Sequence, residues 1–321
     1  MSADIQNNAV NTSSAYYLSH ILWKVFRFFL LSSMVFVILY PLLYMCSMAF
    51  RQVNDVLDPT IVWIPRNFTL ENFAAVIDFT GYWKALTNTV FVSGVCSVLQ
   101  LLVCSLTGYG LARFKFRGKG IFLAVILFSI LIPPQMISMP VFVNFKDLDF
   151  LGILHFFTGS GSGLKLLDSP ASQFMLSALG QGIRAGLFIL IFYQIYLRIP
   201  AEIEEAAMVD GCGYFRTYIR IMLPNARNAI LIVFLFSVVW YFNDYYIANI
   251  FMNNFFTVST RLAGIRSAYA LAMSSGNPID PYQIVVMEQA ACILTILPML
   301  ILYTFAQKHL IQGIERSGIV G

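Results

Sequence analysis

The amino-acid sequence predicts an all-α integral membrane protein with six transmembrane helices. Two observations predict it: the composition and the long charge-free segments. The 321 residues are 59% hydrophobic and 11% charged, whereas soluble globular domains have about 45–50% apolar and about 25% charged residues. A bilayer core about 30 Å thick needs about 20 consecutive apolar residues for each helical span. Three charge-free segments are longer than that: 28–50, 85–112 and 120–145.

The second half of the chain predicts three more spans, although its apolar segments are less uniform. One is short, one contains an aspartate and one directly follows a glutamate; in chain order they are 185–197, 228–250 and 289–307. These segments complete the count of six. We expect the first span to remain as an uncleaved anchor, because it is too long for a signal-peptide core and has no Ala-x-Ala cleavage site.

One short connection determines the predicted orientation. Between the second and third spans lie four basic residues and no acidic one: Arg113, Lys115, Arg117 and Lys119. Connections rich in Lys and Arg face the cytoplasm. Both termini are then cytoplasmic. The predicted parts are a cytoplasmic tail (1–27), the first transmembrane helix (28–50), an extracytoplasmic segment (51–84), a core of five helices (85–306) and a second cytoplasmic tail (307–321).

The cytoplasmic connection 200–224 is too elaborate for a linker. Pro200 followed by three acidic residues is typical of a helix start, because the fixed φ of proline suits the first turn and carboxylates favour the positive end of the helix dipole. Gly211 and Gly213 can adopt the left-handed conformation that ends a helix. A second helix follows and ends or kinks at Pro224; its apolar face comprises Phe215, Tyr218, Ile219 and Met222. Two short helices of this kind form a compact surface for another protein.

The same segment resembles the signature of a known family. Its residues are Glu205-Ala206-Ala207-Met208-Val209-Asp210-Gly211, then Ile221-Met222-Leu223-Pro224. They are similar to the EAA loop of ABC importer inner-membrane permeases, in which E-A-A-x-x-x-G precedes I-x-L-P, and the spacing matches throughout. Cys212, Gly213 and Asn228 depart from the residues common in the family, which affects the rigidity of the turn and the entry into the fifth span.

Other motifs resemble the maltose-type sugar permeases of that family and together cover most of the chain beyond residue 28. They are Trp63-Ile64-Pro65, Phe68-Thr69-Leu70-Glu71-Asn72-Phe73, the basic loop from Tyr109 to Gly118, Pro133-Pro134-Gln135, Trp240 with Asn243-Asp244, and the glycine-bearing tail from Gln312. The Gly- and Ser-bearing stretch 159–172 is longer than usual for the group, and the polar amino-terminal extension is a second departure.

The resemblance implies the type I ABC importer permease fold, in which the EAA loop carries a coupling helix that rests on a separate ATPase. By that likeness the ATPase-coupling residues are Glu205, Ala206, Ala207, Asp210 and Gly211. The tail residues Glu315, Arg316 and Gly318 are weaker candidates for the same contact. The chain itself would be a transport subunit and no enzyme, with ATP and Mg²⁺ bound by the ATPase.

The resemblance also implies partners and a location. We expect a second permease subunit that is a different chain, an ABC ATPase dimer and an extracytoplasmic sugar-binding protein, in a bacterial or archaeal cell membrane. The cargo would be a sugar or oligosaccharide, and no nucleic acid is involved. Two alternatives stay open: a stand-alone channel or ion-coupled secondary transporter, and a membrane-bound enzyme, for which no catalytic cluster is visible.

Candidate pathway residues lie in the third and fifth spans: Gln135, Asn243 and Asp244. A carboxylate inside the bilayer is costly, so Asp244 should face a cavity or a partner unless it lies at the water interface. Arg184 could pair with an acid, line the cavity or extend to the interface, which we favour. Trp240 and Tyr241 could stack on sugar rings, but we favour an interfacial aromatic belt as the simpler explanation.

The sequence lacks the motifs that are typical of several catalytic and metal-binding sites. His20, His155 and His309 are isolated, so no metal site is predicted. The chain has no phosphate-binding GxxxxGK[ST] loop and no GxSxG nucleophile motif. The five cysteines are single and without CxxC spacing, which is typical of small apolar side chains in a core.

Overall fold

The structure is a computed structural model that describes residues 2–61, 63–146, 165–274 and 280–318; for residues 2–19, 274 and 309–318 it describes the helical backbone alone. Within these ranges the chain is helical, and the one β-type pairing is an isolated bridge between Arg51 and Phe68. Residues 159–164 of the Gly- and Ser-bearing stretch lie outside the described ranges, and for Glu315, Arg316 and Gly318 the structure describes the helical backbone alone.

The helices vary from one turn to 48 residues. They are α1 (Ser2–Ala49), α2 (Val53–Val56), α3 (Glu71–Thr80), α4 (Tyr82–Arg113), α5 (Lys119–Leu131), α6 (Pro134–Lys146), α7 (Ala171–Ala178), α8 (Ala185–Arg198), α9 (Ala201–Val209), α10 (Tyr214–Thr217), α11 (Leu223–Asn225), α12 (Arg227–Phe242), α13 (Tyr246–Phe251), α14 (Val258–Ala263), α15 (Ile265–Ser274) and α16 (Gln283–Gly318). A π-helical turn, Tyr218–Met222, joins α10 to α11.

Three helical segments of the described chain are long and apolar enough to cross a membrane by themselves: His20–Ala49, Tyr82–Arg113 and Gln283–Lys308. Three bent pairs pass the same test together, and they raise the count to six if each pair is one span. The pairs are α5 with α6, α8 with α9, and residues 214–225 with α12.

The predicted third span, 120–145, is not one continuous helix. Between α5 and α6 the axis bends by 102° at Ile132 and Pro133. Ile132 is extended (φ −77°, ψ 122°), as expected for a residue that precedes proline, and prolines cannot donate the backbone hydrogen bonds that would continue α5. Pro140, in contrast, lies inside α6. The sequence leaves open whether the prolines kink the third span or end its helix, and in the structure the break follows the Pro133-Pro134 pair.

The predicted fourth span begins at Ala185 and does not extend back past Arg184. Arg184 has a left-handed backbone (φ 59°), which ends the helix on that side. At 1.5 Å per residue, α8 is about 21 Å long, shorter than the bilayer core.

The chain divides into two compact units, residues 1–74 with 279–293 and residues 75–278 with 294–321. In the first unit, the segment after α1 folds back on the end of that helix. The buried Asn72 amide donates to the carbonyl oxygens of Ala49 (2.8 Å) and Arg51 (2.7 Å). The Phe50 ring stacks on Phe68 with centroids 4.8 Å apart. These contacts give the predicted extracytoplasmic segment an ordered start.

In the second unit, α4 packs against α7, α8 and α12. The core between these helices includes Cys104, Phe188, Phe192 and Val233. Small residues let helices in membranes approach closely, and Gly108 of α4 is such a point. A Cβ there would lie 2.6 Å from the Cβ of Phe192 and 2.9 Å from the backbone nitrogen of Tyr193. The second unit contains the residues of the candidate sites.

Candidate functional site

Helix α9 begins and ends as the sequence predicts. Pro200 is its N-cap, and Glu202 and Glu204 lie in the first turn. The helix ends at Val209, and the chain turns at Gly211, whose φ is 82°. The amide of Cys212 donates to the carbonyl of Ala207 across this turn (2.9 Å). Gly213 has a φ of −73°, so the prediction of a left-handed turn is confirmed at Gly211 and wrong at Gly213.

The second helix of the pair is interrupted by the π-helical turn. Thr217, Tyr218 and Met222 are buried, whereas Phe215 and Ile219 are exposed. The predicted apolar face is therefore wrong in two of its four residues. A π-turn bonds residue i to i+5, so that Thr217 and Met222, five positions apart, share the buried side. The following break at Ala226 turns the chain by 78° into α12.

The α9 helix is tied to the end of α4 by a buried carboxylate. Glu204 Oε2 lies 2.7 Å from Nε of Arg113, and Glu204 Oε1 accepts a hydrogen bond from the Tyr109 hydroxyl at 2.7 Å. Arg113 also donates to the carbonyl of Ile199 at 2.5 Å. Glu204 is 6% exposed, so both of its bonds are shielded from water and the contact is rigid.

Tyrosine side chains extend this polar cluster into the helical core. The Tyr218 hydroxyl donates to Ser105 Oγ (3.0 Å), and Ser105 Oγ is 2.7 Å from the Tyr196 hydroxyl. The rings of Tyr109 and Tyr218 are 5.0 Å apart. Because these residues belong to α4, α8 and the π-turn, one network joins both short helices to the membrane-spanning core. Hydrogen bonds between buried side chains of different helices favour a single arrangement of those helices.

The opposite surface of the helix pair is open. Of the predicted coupling residues, Glu205, Ala206, Asp210 and Gly211 are exposed and Ala207 is buried. Val209 is 87% exposed and Phe215 is 68% exposed, and Tyr214 is exposed beside them. Contiguous exposed apolar residues on a folded surface are typical of an interaction site. The sequence predicted Glu205 as a coupling residue and gave no role to Glu204. In the structure Glu204 anchors α9 to α4 on the buried side of this surface.

Asp244, a predicted pathway residue, is bonded within the fold. Its carboxylate accepts hydrogen bonds from the amides of Ile247 (3.1 Å) and Ala248 (2.9 Å) and from Nε2 of Gln173 (3.0 Å). Ser259 Oγ donates to its backbone carbonyl at 2.6 Å. The aspartate therefore organises the start of α13 and joins it to α7 and α14.

The other two predicted pathway residues are exposed. Asn243 Nδ2 donates to the carbonyl of Val239 in its own helix (2.9 Å), and Gln135 lies at the start of α6. Within the described ranges, no group of three or more His, Cys, Asp or Glu side chains could hold a metal ion.

The fold and this surface define a class: a polytopic helical membrane protein with a helix pair that is anchored to the core on one side and exposed on the other. A family model described as "Binding-protein-dependent transport system inner membrane component" matches residues 104–316. The chain belongs to this family and is a multi-pass membrane protein. The match confirms the resemblance seen in the sequence.

Similar proteins agree with the family. The chain is 27% identical to the arabinooligosaccharides transport system permease protein AraQ of Halalkalibacterium halodurans, over 89% of this chain and 92% of that protein. It is 26% identical to the polygalacturonan/rhamnogalacturonan transport system permease protein YtcP of Bacillus subtilis, over 92% and 97%. A chain in the crystal structure of a bacterial ABC transporter for import of the acidic polysaccharide alginate has the same fold, with a TM-score of 0.70, 22% identity, and coverage of 90% and 97%. The predicted type I ABC importer permease fold is confirmed.

Proposed function

We propose that this chain is one permease subunit of an ATP-driven ABC importer for sugars or oligosaccharides. An extracytoplasmic binding protein delivers the cargo, and a separate ATPase dimer supplies the energy. The family description names dependence on a binding protein, and relatives aligned along most of the chain are oligosaccharide and polysaccharide permeases. A transport subunit of this kind catalyses no reaction of its own.

The proposed coupling to the ATPase is supported by the helix pair α9 and α10, which is anchored to the helical core. Glu205, Ala206, Asp210 and Gly211 are proposed to contact or shape the contact with the ATPase, and the exposed Val209 and neighbouring apolar side chains enlarge it. Ala207 is buried, so its proposed role is to let the helix approach the core.

A displacement of α9 by the ATPase passes to α4 through Glu204. The carboxylate is bonded to both Arg113 and Tyr109, one turn apart on α4. Helix α4 has 32 residues and is about 48 Å long at 1.5 Å per residue. It also packs against α7, α8 and α12. A rigid-body push at one end can therefore tilt the helices around a central cavity, which is alternating access.

The remaining partners and the location follow from the same assignment. The second permease is a different chain, and ATP and Mg²⁺ bind to the ATPase. The chain resides in a bacterial or archaeal cell membrane with the basic loop 113–119 and both termini in the cytoplasm, by the positive-inside rule. Gln135 and Asn243 are proposed to face the pathway, and Asp244 to position them through its bonds to α13 and α7.

Two linked measurements test the proposal. Purification of the tagged chain from native membranes, followed by mass spectrometry, should recover a second permease and an ABC ATPase. ATP hydrolysis by that complex in proteoliposomes should rise when oligosaccharide-loaded binding protein is added. If the chain is isolated alone and transports its cargo without ATP, it is a stand-alone carrier and the proposal is wrong.

A further inference from the structure

The second unit contains a partly open cavity of about 350 Å³ beside the bend between α5 and α6. This volume lies at the lower end of the range of small-molecule sites, about 300–1,000 Å³. Apolar residues of α5, α6, α8 and α13 form much of its wall. Polar side chains are Ser129, Ser138 and Gln181, and the one charged residue among the described lining residues is Arg184.

Arg184 lines this cavity, is exposed to solvent, and has no acidic partner within the part of the chain that the structure describes. No aspartate or glutamate is among the described residues that line the cavity, and Asp244 is already bonded to amide groups of the fold. The guanidinium group lies over the Trp240 ring, 4.8 Å from its centroid. Stacking on an indole orients a guanidinium while its N–H groups stay free to bind an anion.

The turn that carries Arg184 is held in place from the core. The fully buried Gln100 donates from Nε2 to the carbonyl of Ile183 at 2.7 Å, and the amide of Ile183 donates to the Tyr241 hydroxyl at 3.2 Å. Ser177 Oγ lies 2.7 Å from the same hydroxyl. Tyr241 is thus buried inside the turn, which excludes both the sugar-stacking and the interfacial role considered from the sequence.

These bonds maintain a strained backbone. Arg184 adopts the left-handed conformation (φ 59°), which is uncommon for a residue with a Cβ. Such strain persists only where the surroundings determine the conformation, and it occurs often at binding sites. The polar groups of Gln100 and Tyr241 therefore position a cation, and they do so before any ligand arrives.

We propose that this cavity binds the carboxylate of an acidic sugar, so that the imported oligosaccharide contains uronic acid residues. The inference rests on the proposed function and names its substrate class. A planar guanidinium binds a carboxylate through two parallel hydrogen bonds, and the exposed Gln181 in the same wall offers a hydrogen bond to a sugar hydroxyl.

The test compares two ligands that differ only in charge: trigalacturonate and its trimethyl ester. Equilibrium binding of each to the purified transporter complex is measured in nanodiscs of zwitterionic lipid. We expect the acid to bind at least about tenfold more tightly than the ester, the size expected for charge-assisted hydrogen bonds. In R184Q this difference should disappear, and in R184K it should be reduced.

A matched control is Arg261, an exposed arginine whose guanidinium lies 3.7 Å from the centroid of Phe256 outside the cavity. R261Q should leave the preference for the acid unchanged. Equal binding of acid and ester to the natural protein would overturn the inference, as would an R184Q variant that keeps the preference. An R184Q variant that differs from the natural protein only in the anionic lipid it retains would identify a lipid headgroup as the ligand and overturn it too.

Failure of this inference and failure of the proposed function are distinguishable. If a neutral oligosaccharide on its binding protein stimulates ATP hydrolysis and the acid does not, the importer assignment holds and the acidic substrate class is wrong. If no oligosaccharide stimulates hydrolysis and no ATPase accompanies the chain, the proposed function itself is wrong.

Discussion

Glu204 and Arg113 form a buried ion pair, with Oε2 and Nε 2.7 Å apart, between a short surface helix and the end of a membrane-spanning helix. Ile199, at the start of the connection to α9, accepts a further bond from the same arginine. The pair is the point at which the proposed ATPase-facing surface meets the transport core.

We predict that Glu204→Gln lowers the free energy of unfolding by about 3 kcal/mol, because it leaves a buried guanidinium without its counter-ion. Glu205→Gln changes an exposed neighbour and should cost less than about 0.5 kcal/mol. The double variant Glu204→Gln/Arg113→Gln should recover part of the loss. Denaturant unfolding in detergent measures all three, and equal stabilities for the two glutamate variants would contradict the assigned role.

A second prediction concerns the turn after α9. Gly211 has a φ of 82°, and a Cβ at this position would meet nothing within 4 Å, so the penalty for valine is conformational, about 1–2 kcal/mol. Gly211→Val should abolish ATP-dependent uptake while the protein still inserts and assembles. Gly213→Val is the control, since its φ is −73° and its surroundings are equally open. Normal uptake by Gly211→Val would refute coupling through this turn.

The close contact between α4 and α8 gives a third prediction. Gly108→Ala places a methyl group 2.6 Å from Phe192 Cβ, and overpacking of this kind costs about 1–3 kcal/mol. Gly94→Ala on the same helix meets nothing within 4 Å and should be neutral or stabilising by up to about 1 kcal/mol. Thermal unfolding measures the melting temperatures of the two variants, and Gly108→Ala should have the lower one. Similar melting temperatures would mean that the two helices separate easily.

Asp244 provides a fourth prediction, which separates a structural role from a role in transport. Asp244→Ala removes the cap of α13 and the bond to Gln173, and should lower the free energy of unfolding by about 2 kcal/mol. Asn243→Ala, next to it, should change stability by less than about 1 kcal/mol. If Asp244→Asn instead keeps normal stability and weakens cargo binding, the aspartate contacts cargo.

The features predicted well from the sequence depend on neighbouring residues or on the bilayer. The membrane spans can be predicted because a lipid environment requires long apolar segments. Helix α9 can be predicted because Pro200 and Gly211 mark its two ends. The break between α5 and α6 also has a local cause, the Pro133-Pro134 pair, although the sequence left open whether it kinks or ends the helix.

What the sequence did not reveal depends on residues far apart in the chain. Glu204 precedes the motif and the sequence gives it no role, whereas in the structure it contacts Tyr109, 95 positions away, and Arg113. Arg184 lines a cavity because Gln100, 83 positions before Ile183, holds its turn. The π-turn brings Thr217 to the buried side together with Tyr218 and Met222. The periodicity of an α-helix does not predict this set of buried residues.

The most direct test of the account is site-specific photo-crosslinking in native membranes. A photoreactive residue replaces Ala206, which is exposed on α9, or Leu102, which is exposed on the side of α4. The account predicts that the probe at position 206 captures an ABC ATPase, identified by mass spectrometry, and that the probe at position 102 does not. Capture of the ATPase from neither position, in membranes where the chain supports ATP-driven uptake, would contradict the claim that α9 is the coupling contact.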